Sequence, residues 1–272
     1  MTISNSVSLK DHFKTLTFAA RESGKIIRDH FGKQKDIMFK GRINPVTNVD
    51  LLSEETIIEI IKSRYPDHDI ITEESQIELA GSPYRWIIDP LDGTVNYSHD
   101  YPVCAVSIAL EINGTIEMGV VFNPIRGEFF HAVRGQGAYL NDQPIRVSNV
   151  DTLEKSLLAT GFPYDIRERR NNNLAQFNHL MMEAEGIRRD GSAALNLACT
   201  AMGRIEGYWE ITISPWDIAA GILLVKEAGG EVTDLENRNL SIYKNQIVAT
   251  NGLIHSELME ELQKVQVSEK DG

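Results

Sequence analysis

The chain has 272 residues, 42% hydrophobic and 24% charged, with a formal net charge of −12. That make-up is the profile of a soluble globular protein with material for one large domain or two modest ones. The acidic balance argues against nucleic acid as the main partner, since phosphate backbones call for basic patches; a small phosphorylated substrate stays open wherever bound cations reverse the local sign.

In chain order, Phe13, Leu16, Ala20, Gly24, Ile27 and Phe31 recur at steps of three and four and predict an amphipathic helix that Gly32 ends. A second helix is expected over about 51–64, on Ile57, Ile58 and Ile61, stopping before Pro66. The period then changes. Ile70-Ile71, Trp86-Ile87-Ile88, Val103–Leu110, Ile116–Phe122 and Glu128–Val133 read as strands, separated by turn signals such as Asn113-Gly114 and Arg126-Gly127. Two helices on a largely antiparallel sheet follow from that spacing. After Val147-Ser148 the pattern alternates: strand Leu157–Thr160, helix Arg167–Ala184, strand Ile187–Arg189, helix Ala193–Met202, strand Arg204–Glu210, helix Pro215–Ala228. Such alternation predicts a layered α/β subdomain. The expected division is 1–148, 149–266 and a polar, frayed tail over 267–272, with no Gly/Ser/Pro-rich linker at the boundary.

Cys104 and Cys199 lie in apolar runs and read as reduced core residues of a cytoplasmic protein, not a disulfide framework. The first six residues lack the basic-then-apolar pattern of a secretory leader, and no apolar run approaches membrane-spanning length. The histidines form no His-Glu-x-x-His pair for zinc.

The most informative run is Trp86 to Thr94: a hydrophobic strand ending in Asp89-Pro90-Leu91-Asp92-Gly93-Thr94. Two carboxylates three residues apart can offer hard oxygen ligands to Mg²⁺. Gly93 lets backbone approach a ligand, and exposed N–H groups at a helix start attract phosphate. The same run also reads as an ordinary strand-ending turn, because Asp-Pro and Asp-Gly are both turn signals.

Three further segments complete a pattern: Asn44–Asp50, Ile70-Ile71-Thr72-Glu73-Glu74-Ser75, and Trp216-Asp217-Ile218-Ala219-Ala220-Gly221. With Asp89–Thr94 they resemble the inositol monophosphatase family of Mg²⁺-dependent, lithium-sensitive phosphatases, over roughly 13–249. The resemblance implies an αβαβα sandwich, an active site between the two halves, a homodimer, and two to three Mg²⁺ ions per site. It implies that Asp89 bridges two metals, that Glu73 and the Leu91 carbonyl complete one site, and that Asp92 with Asp217 complete the other. Thr94 and Asp50 match the pair that activates the attacking water, with Glu73 also serving catalysis through a third ion. Gly93 and Thr94 would hold the phosphate, and Asp92, Ala193 and Glu210 the hydroxyls of a polyol. Lys40 matches a family lysine with one residue fewer in the intervening loop.

Plainer roles stand beside these. Glu73 and Glu74 read as solvated loop charges, Asp50 and Asp217 as helix caps, Thr94 as a turn hydroxyl, and Gly191–Asn196 as a close helix contact. Hydrolysis of a phosphate monoester needs up to about 10²¹-fold acceleration, of which an acid–base pair supplies about 10² to 10⁴. With no Gly-x-Ser-x-Gly elbow and no phosphate-loop cysteine, attack by a metal-activated water is the economical mechanism. The expected reaction is hydrolysis of inositol-1-phosphate. Fructose-1,6-bisphosphatase, 3′(2′),5′-bisphosphate nucleotidase and histidinol-phosphate phosphatase are the alternatives, and a non-catalytic regulatory module is the alternative of another class. Arg188 and Arg189 keep a bisphosphate open.

Overall fold

The apolar repeat of the first helix produces α1 (Leu9–His30), capped where Ser8 accepts the Asp11 N–H at 3.2 Å. The computed structural model describes residues 8–40 and 44–265; the expected tail and the first six residues lie outside that range. A two-stranded ribbon, β1 (Ile37–Lys40) and β2 (Asn44–Thr47), leads into α2 (Asn48–Arg64). Thr47 starts α2 three residues earlier than the isoleucine spacing suggests, because its side chain accepts the Val49 and Asp50 N–H groups.

Next come β3 (Asp69–Thr72), β4 (Tyr84–Asp92), the short α3 (Thr94–Ser98), β5 (Ala105–Ile112), β6 (Thr115–Asn123), β7 (Glu128–Val133), β8 (Ala138–Leu140) and β9 (Gln143–Ile145). These seven strands form one sheet in chain order, antiparallel throughout except for the parallel β3–β4 pair. Helices α1 and α2 cover one face. Leu16, Ile27, Ile57 and Ile61 are fully buried there against Trp86, Ile88 and Ile108, each such side chain contributing about 1.5–3 kcal/mol.

The rest of the chain supplies β10 (Leu157–Thr160), α4 (Leu174–Leu180), β11 (Gly186–Arg188), α5 (Ala193–Ala201), β12 (Gly207–Glu210), α6 (Pro215–Glu227), β13 (Glu231–Thr233), β14 (Ile247–Thr250) and α7 (His255–Lys264). Its sheet runs β11-β10-β12-β14-β13, parallel on the β10 side and antiparallel on the β14 side. Helices α5 and α6 fill the space between the sheets, in one apolar cluster that includes Ile87 and Val121 from the first sheet and Tyr208 and Ala249 from the second. Gly119 allows the closest approach, since a Cβ there would sit 2.8 Å from the Ala220 Cα. Helices α4 and α7 cover the outer face. The layers are therefore helices, sheet, helices, sheet, helices, the αβαβα sandwich expected.

The expected helix over Arg167–Ala184 shrinks to α4. Asn173 takes a left-handed conformation (φ 70°), and its amide donates to Thr160 Oγ1 and the Gly161 carbonyl, both at 2.7 Å. Its Oδ1 accepts the Trp209 indole N–H at 2.7 Å. These buried bonds hold Asn173 outside a helix. Upstream, Arg169 folds back onto Asp165 at 2.9 Å and stabilises a turn.

Candidate active site

Asp89 and Asp92 end β4, and a regular strand would turn residues three apart to opposite faces. The register prevents that: Asp89 pairs with Ser107 while Asp92 pairs with Ala105. Three steps on β4 oppose two on β5, a bulge that brings both carboxylates to one side. Pro90 sits inside the bulge, where its missing N–H costs no ladder bond. The Leu91 N–H closes the turn by donating to Asp89 Oδ1 at 3.0 Å. Gly93 follows at φ 89°, and a Cβ there would meet the Val103 carbonyl at 2.7 Å, so only glycine fits.

Beyond Gly93, the Thr94 hydroxyl lies 2.8 Å from Asp50 Oδ1 and 3.0 Å from the Leu91 carbonyl. Asp50, buried in the first turn of α2, accepts the Thr47 N–H on its other oxygen at 2.9 Å. Burial raises its pKa, and the bonds from Thr47 and Thr94 oppose the rise. Asn96 ties this turn to the start of α5 by donating to the carbonyls of Val103 (2.8 Å) and Asp190 (2.7 Å).

Asp92 reaches across to α5. Its Oδ2 accepts the Ser192 hydroxyl at 2.5 Å and the Ala194 N–H at 2.8 Å. Burial pushes its pKa up to about 6, while the Ser192 and backbone bonds hold it down. Asp217, in the first turn of α6, accepts the Ser214 N–H at 2.8 Å and hydrogen-bonds Asp89. Burial first, and then the charge of Asp92, push Asp217 up to about 8. Asp89 is raised well above the carboxylate range by burial and by the charges of Glu73, Asp92 and Asp217. The structure therefore gathers Glu73, Asp89, Asp92 and Asp217, although they arrive from three separate segments.

Asp92, Asp217, Ala193, Glu210, Tyr164 and Arg189 line a cleft of about 110 Å³. Glu210 is buried at the end of β12 and accepts the Tyr208 hydroxyl. Burial pushes it up to about 7, with Asp92 adding to the rise and Tyr208 and Arg189 opposing it. Of the paired arginines, Arg189 lines the cleft, whereas Arg188 is exposed and bonds the Ile187 carbonyl. The Lys40 side chain lies outside the described residues.

Several contributors carry no motif of their own. Ser53 donates to the Pro90 carbonyl at 2.8 Å, pinning the bulge from α2. Glu54 accepts the Thr72 hydroxyl and the Glu74 N–H on either side of Glu73. Gly161 leaves room for the Glu210 carboxylate, which a Cβ would overlap. Tyr164 overhangs the cleft; burial first, and then the four acidic charges, raise its pKa. The polar spacing of Asp50, Ser53 and Glu54 on one helix face was the available signal for the α2 pair.

The donor set fits a hard divalent cation. It is made of oxygen alone, and the charges acting on Asp89 are those of three other carboxylates, a repulsion that bound cations relieve.

Comparison with known proteins places this geometry. Residues 9–268 match the model of the inositol monophosphatase family. An inositol-1-monophosphatase of Synechocystis sp. is 46% identical across 93% of this chain and 89% of its own length. The Nus factor SuhB of Escherichia coli is 44% identical across 86% of this chain and 88% of its own. The solved inositol monophosphatase of Anabaena (Nostoc) sp. superimposes with a TM-score of 0.87 at 44% identity, covering 95% and 97% of the two chains.

Proposed function

The chain belongs to the inositol monophosphatase family, and on that premise we propose that it hydrolyses inositol-1-phosphate to inositol and phosphate with Mg²⁺ as cofactor. Phosphatase chemistry is what the family supports. The observation that carries the finer reading is the β4 bulge, which turns Asp89 and Asp92 to one side, next to Asp217 and to the Thr94–Asp50 pair.

In this reading Glu73, Asp89, the Leu91 carbonyl, Asp92 and Asp217 hold two to three Mg²⁺ ions. When bound, the ions neutralise the clustered carboxylates and supply Lewis-acid stabilisation of the charge on the phosphoryl oxygens. The chain's own residues do the rest. Gly93 and Thr94 offer backbone N–H groups to the phosphate. Thr94, with its hydroxyl proton directed at Asp50, presents a lone pair to the attacking water, takes a proton from it and passes its own to Asp50. Asp92, the Ala193 backbone and Glu210 orient the polyol hydroxyls. Asp217, Ala193 and Glu210 come from the 149–266 half and the remaining residues from the 1–148 half, so closure of the cleft draws on both.

The proposal includes lithium sensitivity and a cytoplasmic homodimer acting on a small phosphorylated polyol. Among the described residues no helix is long and apolar enough to cross a membrane. Relatives named Nus factors favour a second reading, a regulatory protein that keeps the pocket. The complete carboxylate set supports the enzyme. The deciding experiment is phosphate release from inositol-1-phosphate with Mg²⁺, with chelator and with millimolar lithium. Turnover only with Mg²⁺, depressed by lithium, is expected. No release under any condition would leave the regulatory reading, and full activity in chelator would refute the metal reading.

A further inference from the structure

The buried face of α2 carries three polar residues in its first two turns. Asp50, Ser53 and Glu54, at spacings of three and four, form one stripe and are 1%, 0% and 3% exposed. Each bonds a different segment of the site: Asp50 the Thr94 hydroxyl, Ser53 the Pro90 carbonyl, Glu54 the Thr72–Glu74 stretch.

These three segments are not equally constrained without α2. Residues 89 to 94 are continuous with β4, whose pairing with β5 runs to Asp92. Glu73 lies one residue beyond the last β3–β4 pair, Thr72 with Ile88, so the ladder no longer sets its direction. Glu54 brackets that position. A single oxygen, Oε2, accepts the Thr72 hydroxyl at 2.6 Å and the Glu74 N–H at 3.0 Å. One bond falls just before Glu73 and the other just after it. Both are shielded from water at the Glu54 end, where a lost acceptor leaves donors unsatisfied.

We infer that Glu54 is a positioning residue for Glu73 and sets the affinity of the site for the divalent cation that Glu73 helps to hold. The inference rests on the proposed reading of Glu73 as a ligand. A partner that orients a ligand without touching the metal is worth about 10- to 100-fold in metal affinity. Glu54→Ala should therefore raise the Mg²⁺ midpoint about tenfold or more. Glu54→Gln, which still presents one acceptor oxygen to the same two donors, should stay within about threefold of wild type. KM for the phosphate ester at saturating Mg²⁺ should change by less than about twofold, because substrate contacts come from other segments.

The test is a titration with Mg²⁺ alone, read by thermal shift and calorimetry on the full chain, with amide exchange at Glu74 measured in chelator. A merely structural role would lower the melting temperature without moving the Mg²⁺ midpoint. In a Glu73→Gln background, Glu54→Ala should add little to the midpoint, since residues acting as a unit are not additive. If Glu54→Ala does not fold, Thr72→Val removes one of the two bonds at nearly constant shape and should raise the midpoint about threefold. Wild type without any Mg²⁺ response overturns the metal reading itself. A normal wild-type response with unmoved midpoints in Glu54→Ala or Thr72→Val, or full additivity with Glu73→Gln, overturns the role of Glu54 and leaves the metal reading standing.

Discussion

Asp217→Asn should make the metal-free protein more stable while stopping turnover. Asparagine keeps an oxygen for the Ser214 N–H, 2.8 Å away in the native protein, so the cap of α6 survives. What it removes is a carboxyl pushed from 3.8 up to about 8 by burial and by Asp92. The folded protein thus binds this proton more tightly than the unfolded chain does. The associated stability is complete below the unfolded value of 3.8 and is lost as pH rises through about 8. At pH 7 most of that loss has occurred, about 4 kcal/mol at 1.36 kcal/mol per pH unit, and about 2 kcal/mol when screening at a half-buried carboxyl is allowed for. For a chain of this size that is a gain of about 3–5 °C in melting temperature for the variant. The assay is thermal unfolding in chelator at pH 5, 6, 7 and 8, repeated with Mg²⁺. The advantage of Asn should widen from pH 5 to 8 in chelator and shrink or reverse with Mg²⁺, which stabilises the wild-type site by mass action. A variant that melts at or below wild type at pH 8 in chelator, or a gap that narrows with rising pH, would refute the reasoning.

Gly93→Ala must hold a side chain at φ 89° with its Cβ 2.7 Å from a carbonyl oxygen; a loss of about 2 kcal/mol or more and at least tenfold slower phosphate release are expected. Wild-type melting and turnover in that variant would show that the turn is not fixed by glycine. Assayed at pH 8, where a carboxyl raised to about 7 is ionised, Glu210→Gln should lower kcat/KM for inositol-1-phosphate about five- to tenfold, the difference between a charge-assisted and a neutral hydrogen bond, while p-nitrophenyl phosphate is hydrolysed about as well as by wild type. Equal loss on both substrates would move Glu210 into the metal or structural shell. His68 accepts the Trp86 indole N–H at 3.1 Å on Nδ1 and is pushed down to about 4, mainly by burial and next by His12. The unfolded chain therefore takes up this proton first, and stability falls as pH drops from 6.5 toward 4. His68→Gln should remove about 1–2 kcal/mol of that slope after allowance for solvent, and identical pH–stability curves for variant and wild type would count against it.

The site was legible in the sequence where its chemistry is local. Asp89-Pro90-Leu91-Asp92-Gly93-Thr94 carries its turn and its carboxylates in six consecutive residues. The parity that turns Asp89 and Asp92 to one side was not legible, because it depends on pairing with Ser107 and Ala105. Glu54 escaped notice for a related reason: its partners are 18 and 20 residues away, and a lone glutamate on a helix ordinarily reads as solvated. Polar residues on the buried face of α2 also blurred its apolar period, which is why the expected start fell at 51 instead of 48. The excess helix over 167–184 has a tertiary cause, the side-chain bonds of Asn173 to Thr160, Gly161 and Trp209. Strands β13 and β14 are too short to outweigh the turns around them. Helix α7 did leave a signal, in the spacing of Leu258, Met259 and Leu262.

The plainer readings of the site carboxylates, as helix caps, turn out to be part of how the site is built. Asp50 lies in the first turn of α2, Asp217 in the first turn of α6, and Asp92 accepts a first-turn N–H of α5. Three helix N-termini thus face one acidic cluster, and their partial positive charge offsets some of the repulsion among its carboxylates. Capping also fixes where each carboxylate points, which under the proposed metal reading lowers the ordering cost of binding a cation. The two roles separate by substitution. Asp217→Asn removes charge and keeps the cap, whereas Asp217→Ala removes both, and a lost cap costs about 1 kcal/mol. In chelator at pH 7 the Ala variant should therefore melt a few degrees below the Asn variant, with both unable to turn over. Equal melting of the two would mean that the Ser214 bond contributes nothing and that Asp217 is held in the cluster by other contacts.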